Sequence, residues 1–338
     1  MSARTLPAAL LRARQLLDPE LRARVDLLPP EIGRVVGYHL GFADADGRPI
    51  EGDGGKAVRS ALALLSAEAV GAPVRVALPG ALAIELIHNF SLLHDDVVDH
   101  DLERRHRPTA WALFGLGPAI VGGDALLIEA LTALLEEPTA ARTRAASVLI
   151  GATARMIAGQ SQDLSFASRL DVTVDECLEM CAAKTGALLS CAASIGAILA
   201  GADDGAVGAL ADFGLHLGLA FQAVDDLLGI WGRPEATGKP AAGDLREHKK
   251  TIPVVMALSS AGPDRDRLEA VLSDGALTEE TVAAAADLVE RCGGRSGCLQ
   301  EADRQLDLAL GCLQRAPLEP AARDQLADVA AFVAARDF

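Results

Sequence analysis

The sequence predicts an all-α protein, and three observations predict it. Half of the residues are apolar and Ala and Leu dominate them, so helix propensity is high along most of the chain. Runs rich in Val, Ile and Thr that would read as strands are scarce. Two acid-rich signatures, His94-Asp95-Asp96-Val97-Val98-Asp99 and Phe221-Gln222-Ala223-Val224-Asp225-Asp226, each lie in an apolar stretch of helical character. In chain order, residues 1–40 read as one or two short helices punctuated by Pro29-Pro30, and residues 41–55 as a polar loop. A helix is expected to begin near Lys56, and another to run from about Gly80 to His100, with no Pro or Gly inside. The charged stretch Leu102 to Pro108 ends it. Further helices are predicted around 110–135, 139–166, 173–200, 205–230 and 250–260, with a loop from Trp231 to Lys250. The last third, 267–335, reads as amphipathic helices broken at Gly293-Gly294 and Pro317. There is no internal repeat and no linker long enough to force a division, so residues 1–338 are expected to form one domain with its core over about 30–338.

A formal net charge of −16 excludes an ordinary nucleic-acid binder, which presents a basic face. The same charge opposes an anionic substrate. Screening over about 8 Å at physiological salt lets local cations overcome that field. The six cysteines, Cys177, Cys181, Cys191, Cys292, Cys298 and Cys312, lack the paired short spacings of a zinc site. Cys177 and Cys181, one helical turn apart, are expected to pack as buried thiols. Met1 to Arg14 lacks an apolar core segment, and the apolar runs are broken by Gly or charge before about 18 residues. A cytoplasmic protein with no transmembrane segment is therefore expected.

Asp95 and Asp99, four apart, project from one helix face with Asp96 beside them. Three carboxylates on one turn repel each other, and burying one is costly without compensation. Neither acid-rich helix carries an obvious basic partner. A hard divalent cation supplies the compensation, and Mg2+ is usually held by one or two carboxylates plus substrate phosphates. Arg104, Arg105 and Arg107 follow, with guanidinium forks suited to phosphate oxygens. Gly54-Gly55-Lys56-Ala57-Val58-Arg59 places two cations at a helix start, where the helix itself favours anions. Lys184-Thr185 interrupts an apolar helix, and Lys239, Lys249 and Lys250 follow the second acid cluster. The composite points to an enzyme that binds a phosphorylated substrate through magnesium.

In this order, the motifs resemble the trans-polyprenyl diphosphate synthase family from Gly54 to about Pro253, with a typical ending in Leu326-Ala327-Asp328-Val329-Ala330-Ala331-Phe332. Asp225-Asp226-Leu227-Leu228-Gly229-Ile230-Trp231-Gly232 is similar to a string of the short-chain actinobacterial members, and the whole looks geranylgeranyl diphosphate synthase-like. The resemblance implies the isoprenoid synthase fold, a single helical bundle around a central cavity, and a homodimer. It implies that Asp95 and Asp99 hold two Mg2+ against the allylic diphosphate with Asp96 alongside, and that Asp225, supported by Asp226, holds a third, about three ions per active site. Arg104, Lys184, Lys239 and Lys249 match residues that grip the allylic diphosphate. Lys56, Arg59, His88 and Arg105 match the pocket for isopentenyl diphosphate. Gln160 and Asp163 match a polar pair beside the metals, and Thr185 and Gln222 match groups whose oxygens face a developing carbocation. Some positions depart from the family pattern. Ala57 and Ser60 stand where Arg and Pro are usual, weakening one supporting contact; His106 and His248 stand where Gly is common, and Gly229 where the second motif has its last Asp.

The implied reaction is Mg2+-dependent head-to-tail transfer of an allylic C5–C15 diphosphate onto isopentenyl diphosphate. Ser91 lies one turn, about 5.4 Å, below Asp95 and is too small to stop chain growth. Phe90 is the adjacent bulky group. In the family, one upstream aromatic with a tight Asp-Asp-x-x-Asp resembles C20 synthases, and two aromatics resemble a C15 stop. Geranylgeranyl diphosphate is therefore the expected product and farnesyl diphosphate the alternative. A class I terpene cyclase would share the fold but carry an Asn/Ser/Glu metal motif where Asp225-Asp226 stands. A non-catalytic subunit of a heteromeric synthase would tend to lose the five aspartates that this chain keeps.

Overall fold

The computed structural model describes residues 6–50, 55–232, 242–273 and 278–334. Helix α1 spans Ala8–Leu27, α2 Pro30–His39 and α3 Val58–Ala69. A 3-10 turn, Val74–Ala77, leads into α4, Leu78–Val98. The charged stretch after α4 forms a two-stranded hairpin, β1 Glu103–Arg104 against β2 Arg107–Pro108. The helix expected over 110–135 is two helices, α5 Ala110–Phe114 and α6 Leu116–Leu135. They are separated by Gly115 at φ 95, a left-handed conformation that glycine adopts freely. Helix α7 is Ala140–Phe166. The helix expected over 173–200 begins as α8, Val174–Cys181, behind a capping box of Thr173 and Glu176. It widens into a π turn at Ala182–Gly186 and resumes as α9, Ala187–Leu199. Then come α10, Asp204–Trp231, and a short helix α11, Gly243–Arg246, inside the stretch read as a loop. Helices α12 Ile252–Leu258, α13 Pro263–Ser273, α14 Glu279–Arg291, α15 Gly294–Cys312 and α16 Pro320–Ala334 complete the chain.

The described residues group into two compact units, each assembled from separated stretches. One holds Met1–Gly151, Cys191–Ala211 and Leu313–Val329; the other holds Ala152–Ser190, Asp212–Cys312 and Ala330–Phe338. Helices α7, α9, α10 and α16 begin in one and end in the other.

In the first unit α3 is almost wholly buried. Full burial of Leu62, Leu64 and Leu65 stabilises by roughly 2 kcal/mol each before entropy is counted. Helix α4 packs along α3 and α6. Two close approaches tighten this unit, one of α9 on α3 and one of α6 on α4. A Cβ on Gly196 would lie 2.1 Å from the Ala63 carbonyl, and the Gly196 N–H donates to Ser66 Oγ at 3.0 Å. A Cβ on Gly123 of α6 would lie 2.3 Å from His94 Nε2. Within the second unit one core gathers Phe166, Cys177, Met180, Cys181, Leu219, Val224 and Cys298. Another gathers Leu245, Val254, Leu268, Leu272, Leu288 and Val289.

The cysteines pack as thiols. Cys177 and Cys298 donate to the carbonyls of Lys250 and Ala223, and burial pushes the Cys191 thiol up to about 12. The expectation about apolar runs is corrected. By length and composition, four stretches are apolar enough to cross a membrane: Val74–Val98, Leu116–Leu135, Val174–Leu199 and Asp204–Trp231. Glycines and single charges interrupt these runs, yet their mean hydropathy stays between 1.4 and 1.6. Three of the four are mostly buried against protein, whereas Leu116–Leu135 is only 39% buried.

Left-handed backbone explains two departures. His106 (φ 59) and His248 (φ 55) occupy conformations that favour glycine. Arg105 at φ 53 precedes His106, so the hairpin turn places two side-chain residues in this region. The His106→Gly variant should gain about 1 kcal/mol, read as a raised urea midpoint.

Candidate active site

In the first unit, the C-terminal turns of α4 present Asp95 and Asp99 on a partly exposed face shared with His88 and Ser91. Asp96, one residue round, is 1% exposed. Its Oδ1 accepts from Arg104 Nε at 2.5 Å, while Oδ2 is buried without a hydrogen-bond partner. Burial pushes Asp96 up to about 6 against the pull of Arg104. The hairpin turns the chain back so that Arg104 lies over this carboxylate, with Asp101 at 3.8 Å from Nη2. Asp96 thus aims Arg104, and Asp95 and Asp99 keep the accessible face.

A basic cluster belongs to the same unit. Arg59 Nη1 lies 3.3 Å from His88 Nε2. Burial, then the charges of Arg59 and Arg105, hold His88 well below the ordinary imidazole range, so it accepts from Arg59 as a neutral ring. Gly55, at φ 89, lets Arg105 approach, since a Cβ there would lie 3.0 Å from Arg105 Nη2. Lys56 is exposed beside it. His39, at the end of α2, joins this cluster and carried no sequence signal. Burial, then Arg105 and Arg104, lower it to about 3, and its Nε2 has no hydrogen-bond partner.

The depressed His39 value has a definite sign. The folded protein keeps His39 neutral while the unfolded chain protonates near 6.5. This contribution is fully present above that pH and is lost as pH falls toward 3. Stability should therefore decline on acidification by up to about 1.4 kcal/mol per pH unit from this group. In His39→Gln the drop in urea midpoint between pH 7 and pH 5 should shrink; an unchanged drop would reject the assignment.

In the second unit the π turn carries Lys184 and Thr185. Its wider turn is a local distortion often found at functional sites. Glycines on both sides hold it: a Cβ on Gly159 of α7 would lie 2.4 Å from Lys184 N, and one on Gly218 of α10 would lie 2.7 Å from Gly186 Cα. Lys184 Nζ donates to Asp163 Oδ2 at 2.6 Å. Thr185 Oγ1 donates to Gln222 Oε1 at 2.7 Å, and Gln222 Nε2 donates to Asp226 Oδ1 at 2.7 Å. The Ile252 N–H donates to Asp226 Oδ2 at 2.8 Å. The relay orients the Gln222 amide and leaves the Thr185 and Gln222 oxygens as electron-rich groups. Both Gln160 side-chain amide atoms are buried without partners. Asp225 is exposed, whereas Asp226 is 5% exposed and pushed up to about 8 by burial and the charge of Asp244.

Of the two adjacent lysines, Lys250 is buried. Its Nζ donates to the carbonyls of His248 and Ala167, and burial lowers it. Lys249 pairs with Glu247 at 2.8 Å and is the more accessible cation. Lys239 and the Gly54, Gly238 and Pro240 of its neighbouring motifs lie outside the described residues.

The residues fit magnesium in a restricted sense. Among the described residues no three His, Cys, Asp or Glu side chains converge as a ready-made cage. Mg2+ does not need one, because water and substrate phosphate complete its sphere. The unpartnered Asp96 oxygen, and an Asp226 that ionises only against burial, are carboxylates that a neighbouring cation favours.

Residues 48–289 match the family model described as Polyprenyl synthetase. The chain belongs to the polyprenyl synthetase family. It is 45% identical to a (2E,6E)-farnesyl diphosphate synthase of Mycobacterium tuberculosis over 99% of this chain and 94% of that one. It is 42% identical to a geranylgeranyl diphosphate synthase of the same species, over 93% and 90%. The crystal structure of a polyprenyl synthetase from Streptomyces coelicolor A3(2) superposes with a TM-score of 0.93 at 49% identity, covering 98% of this chain and 100% of the other. The all-α fold is that of isoprenyl diphosphate synthases, and this polyprenyl synthetase is an enzyme of the prenyltransferase class.

Two positions have partners that the sequence does not show. Ser60 is buried and donates to Glu85 Oε2 at 2.6 Å, and Asn89 Nδ2 donates to the Glu85 backbone at 2.8 Å, so Ser60 helps satisfy a carboxylate deep on α4. Phe90, the bulky group beside Ser91, faces away from it. It is 6% exposed and packs its ring edge-on to His94, centroids 4.8 Å apart, because successive helix positions turn by about 100°.

Proposed function

We propose that this short-chain trans-prenyltransferase condenses isopentenyl diphosphate with an allylic diphosphate in a Mg2+-dependent reaction, with geranylgeranyl diphosphate as its main product. The observation that carries the reading is the separation, within one unit, of a cationic cluster from an acidic face. Arg59 and Arg105, with the neutral His88 orienting Arg59, suit a diphosphate that stays bonded to its carbon, held directly by charge. Asp95 and Asp99 suit a diphosphate that departs. Mg2+ held by Asp95 and Asp99 would neutralise the charge that builds on the leaving oxygens, and Asp225 would hold a further Mg2+. Arg104, oriented by Asp96, grips those oxygens, and Lys184, oriented by Asp163, is a further cation for diphosphate. As the allylic C–O bond breaks, the Thr185 and Gln222 oxygens stabilise the cation. The isopentenyl double bond forms the new C–C bond, and the released diphosphate takes the proton that is lost. Lys56 joins the cationic cluster, and Lys239 and Lys249 are further cations for the allylic diphosphate.

The C20 reading rests on Ser91 standing alone beneath Asp95, with Phe90 turned to His94. Ser91→Phe should shift the product to a shorter chain, seen by chromatography after dephosphorylation. An unchanged spectrum would reject this floor. We also read the chain as one synthase domain that works as a homodimer. The exposed Leu116, Ile120, Val121 and Ile128 of α6 form an apolar face of the kind that self-association covers. Sedimentation should give twice the chain mass.

The direct test incubates the protein with each of the C5, C10 and C15 allylic diphosphates, with and without isopentenyl diphosphate and Mg2+. Diphosphate release that requires all components and yields C20 supports the reading. Release from the allylic substrate alone would indicate a cyclase, and no release a non-catalytic subunit. A product ending at C15 would overturn the chain length only.

A further inference from the structure

Three arginines follow α4, and the third does something different from the other two. Arg104 lies over Asp96, and Arg105 lies against Gly55. Arg107 is committed to protein. Its Nη1 donates to the Tyr38 carbonyl at 3.3 Å and its Nη2 to the Ala43 carbonyl at 3.0 Å. Its guanidinium also lies 4.1 Å from the centre of the Tyr38 ring, a cation–π contact. Tyr38, the single tyrosine of the chain, is 5% exposed. Its hydroxyl donates to the Pro108 carbonyl at 2.7 Å, and Phe114 packs edge-on to its ring at 5.3 Å. One side chain of α2 thus grips both residues of β2.

The hairpin does not hold itself. Each strand has two residues, and a hairpin this short has little stability of its own. Its turn needs left-handed backbone at Arg105 and His106, φ 53 and 59, which side chains resist. Its position is therefore set by what grips it. Thr109 Oγ1 and Trp111 Nε1 both donate to the Asp101 carbonyl at 2.7 Å and close its base. Arg107 and Tyr38 tie its second strand to the end of α2. Arg104 pairs with Arg107 across the hairpin, and Arg105 follows in the turn. His39, next to Tyr38, is buried within the field of all three arginines.

We propose that Arg107 and Tyr38 are positioning residues, which together place Arg104 at the departing diphosphate and Arg105 at the isopentenyl diphosphate. The inference rests on the roles given to Arg104 and Arg105 above. Arg107 and Tyr38 act through those two arginines and do not touch substrate. A single contact remote from the reacting atoms thereby sets both guanidiniums, so its loss is felt at both substrates.

The test reads both ends of the hairpin in the full chain. Arg107→Lys keeps the charge but loses the fork and the stacked plane. It should weaken isopentenyl diphosphate, followed by calorimetry without Mg2+, by about tenfold, because a small misplacement of a binding group is costly. Turnover at saturating allylic and isopentenyl diphosphates should also fall by about tenfold, through Arg104. Tyr38→Phe keeps the ring and removes only the hydroxyl, and should show both losses at about threefold. The double variant Arg105→Ala with Arg107→Lys should bind isopentenyl diphosphate within about twofold of Arg105→Ala alone, since the effect of Arg107 passes through Arg105. A general loosening of the fold would instead add its loss in either background. Circular dichroism and melting identify a variant that fails to fold, and Tyr38→Phe then carries the test. Parent-like affinity in the folded variants, a loss confined to one substrate, or additive losses in the double variant overturns the proposal. A parent protein that does not bind isopentenyl diphosphate would instead overturn the functional reading.

Discussion

Replacing Asp95 by Ala should lower turnover by at least about a hundredfold to a thousandfold, the loss typical of removing a group that stabilises charge only in the transition state. Asp95 is partly exposed on the α4 face that also carries Asp99, so its carboxylate has the access that a metal–diphosphate requires. The loss should fall on kcat and on kcat/KM for the allylic substrate alike, because the interaction strengthens as the leaving group gains charge. Isopentenyl diphosphate, held by the cationic cluster, should keep its KM. Asp96 offers the contrast. It is buried against Arg104, so Asp96→Asn should act by loosening that arginine and should cost less than Asp95→Ala. Steady-state kinetics on both variants separate the two roles. Near-parent rates in Asp95→Ala would remove the metal function from α4.

A single methyl group at Gly159 should be nearly as damaging. The Cβ would sit 2.4 Å from Lys184 N and 2.8 Å from its Cα, and backbone cannot move aside as the end of a side chain can. Overpacking of this kind costs about 1–3 kcal/mol. It also displaces the π turn that carries Lys184 and Thr185, so activity should fall together with the urea midpoint. Gly151, two turns earlier on the same helix, is the control, since nothing lies within 4 Å of its Cβ position. There, Ala should stabilise by roughly 0.5–1 kcal/mol through helix propensity. Opposite signs at two glycines of α7 would establish that the approach of α7 to the π turn, rather than helix propensity, governs position 159.

Much of the fold was legible because it is written in local chemistry. Ala/Leu-rich periodicity placed the helices, Pro29-Pro30 divided α1 from α2, and Gly293 and Pro317 marked the late breaks at or beside the ends of α14 and α15. The breaks that escaped are those that cost little locally. Gly115 alone splits a predicted helix in two, and the π turn at Ala182–Gly186 leaves hydrophobic periodicity almost unchanged. The candidate site divides in the same way. Aspartates, arginines and lysines were visible as charge placed in apolar surroundings. His39 and Glu85 were not, because each becomes notable only through burial and partners drawn from distant segments. The partner of Phe90, the His94 ring, was likewise settled only by packing.

What the sequence determined by itself is the helical class and the identity and order of the chemistry-bearing residues. Propensity and charge are properties of neighbouring residues and survive without any knowledge of packing. Tertiary structure alone decided which carboxylates are accessible and which are buried, as Asp95 and Asp96 illustrate side by side. It also laid Arg107 over the ring of Tyr38. The reason is that desolvation and close approach depend on what the rest of the chain places around an atom, and no local pattern encodes that.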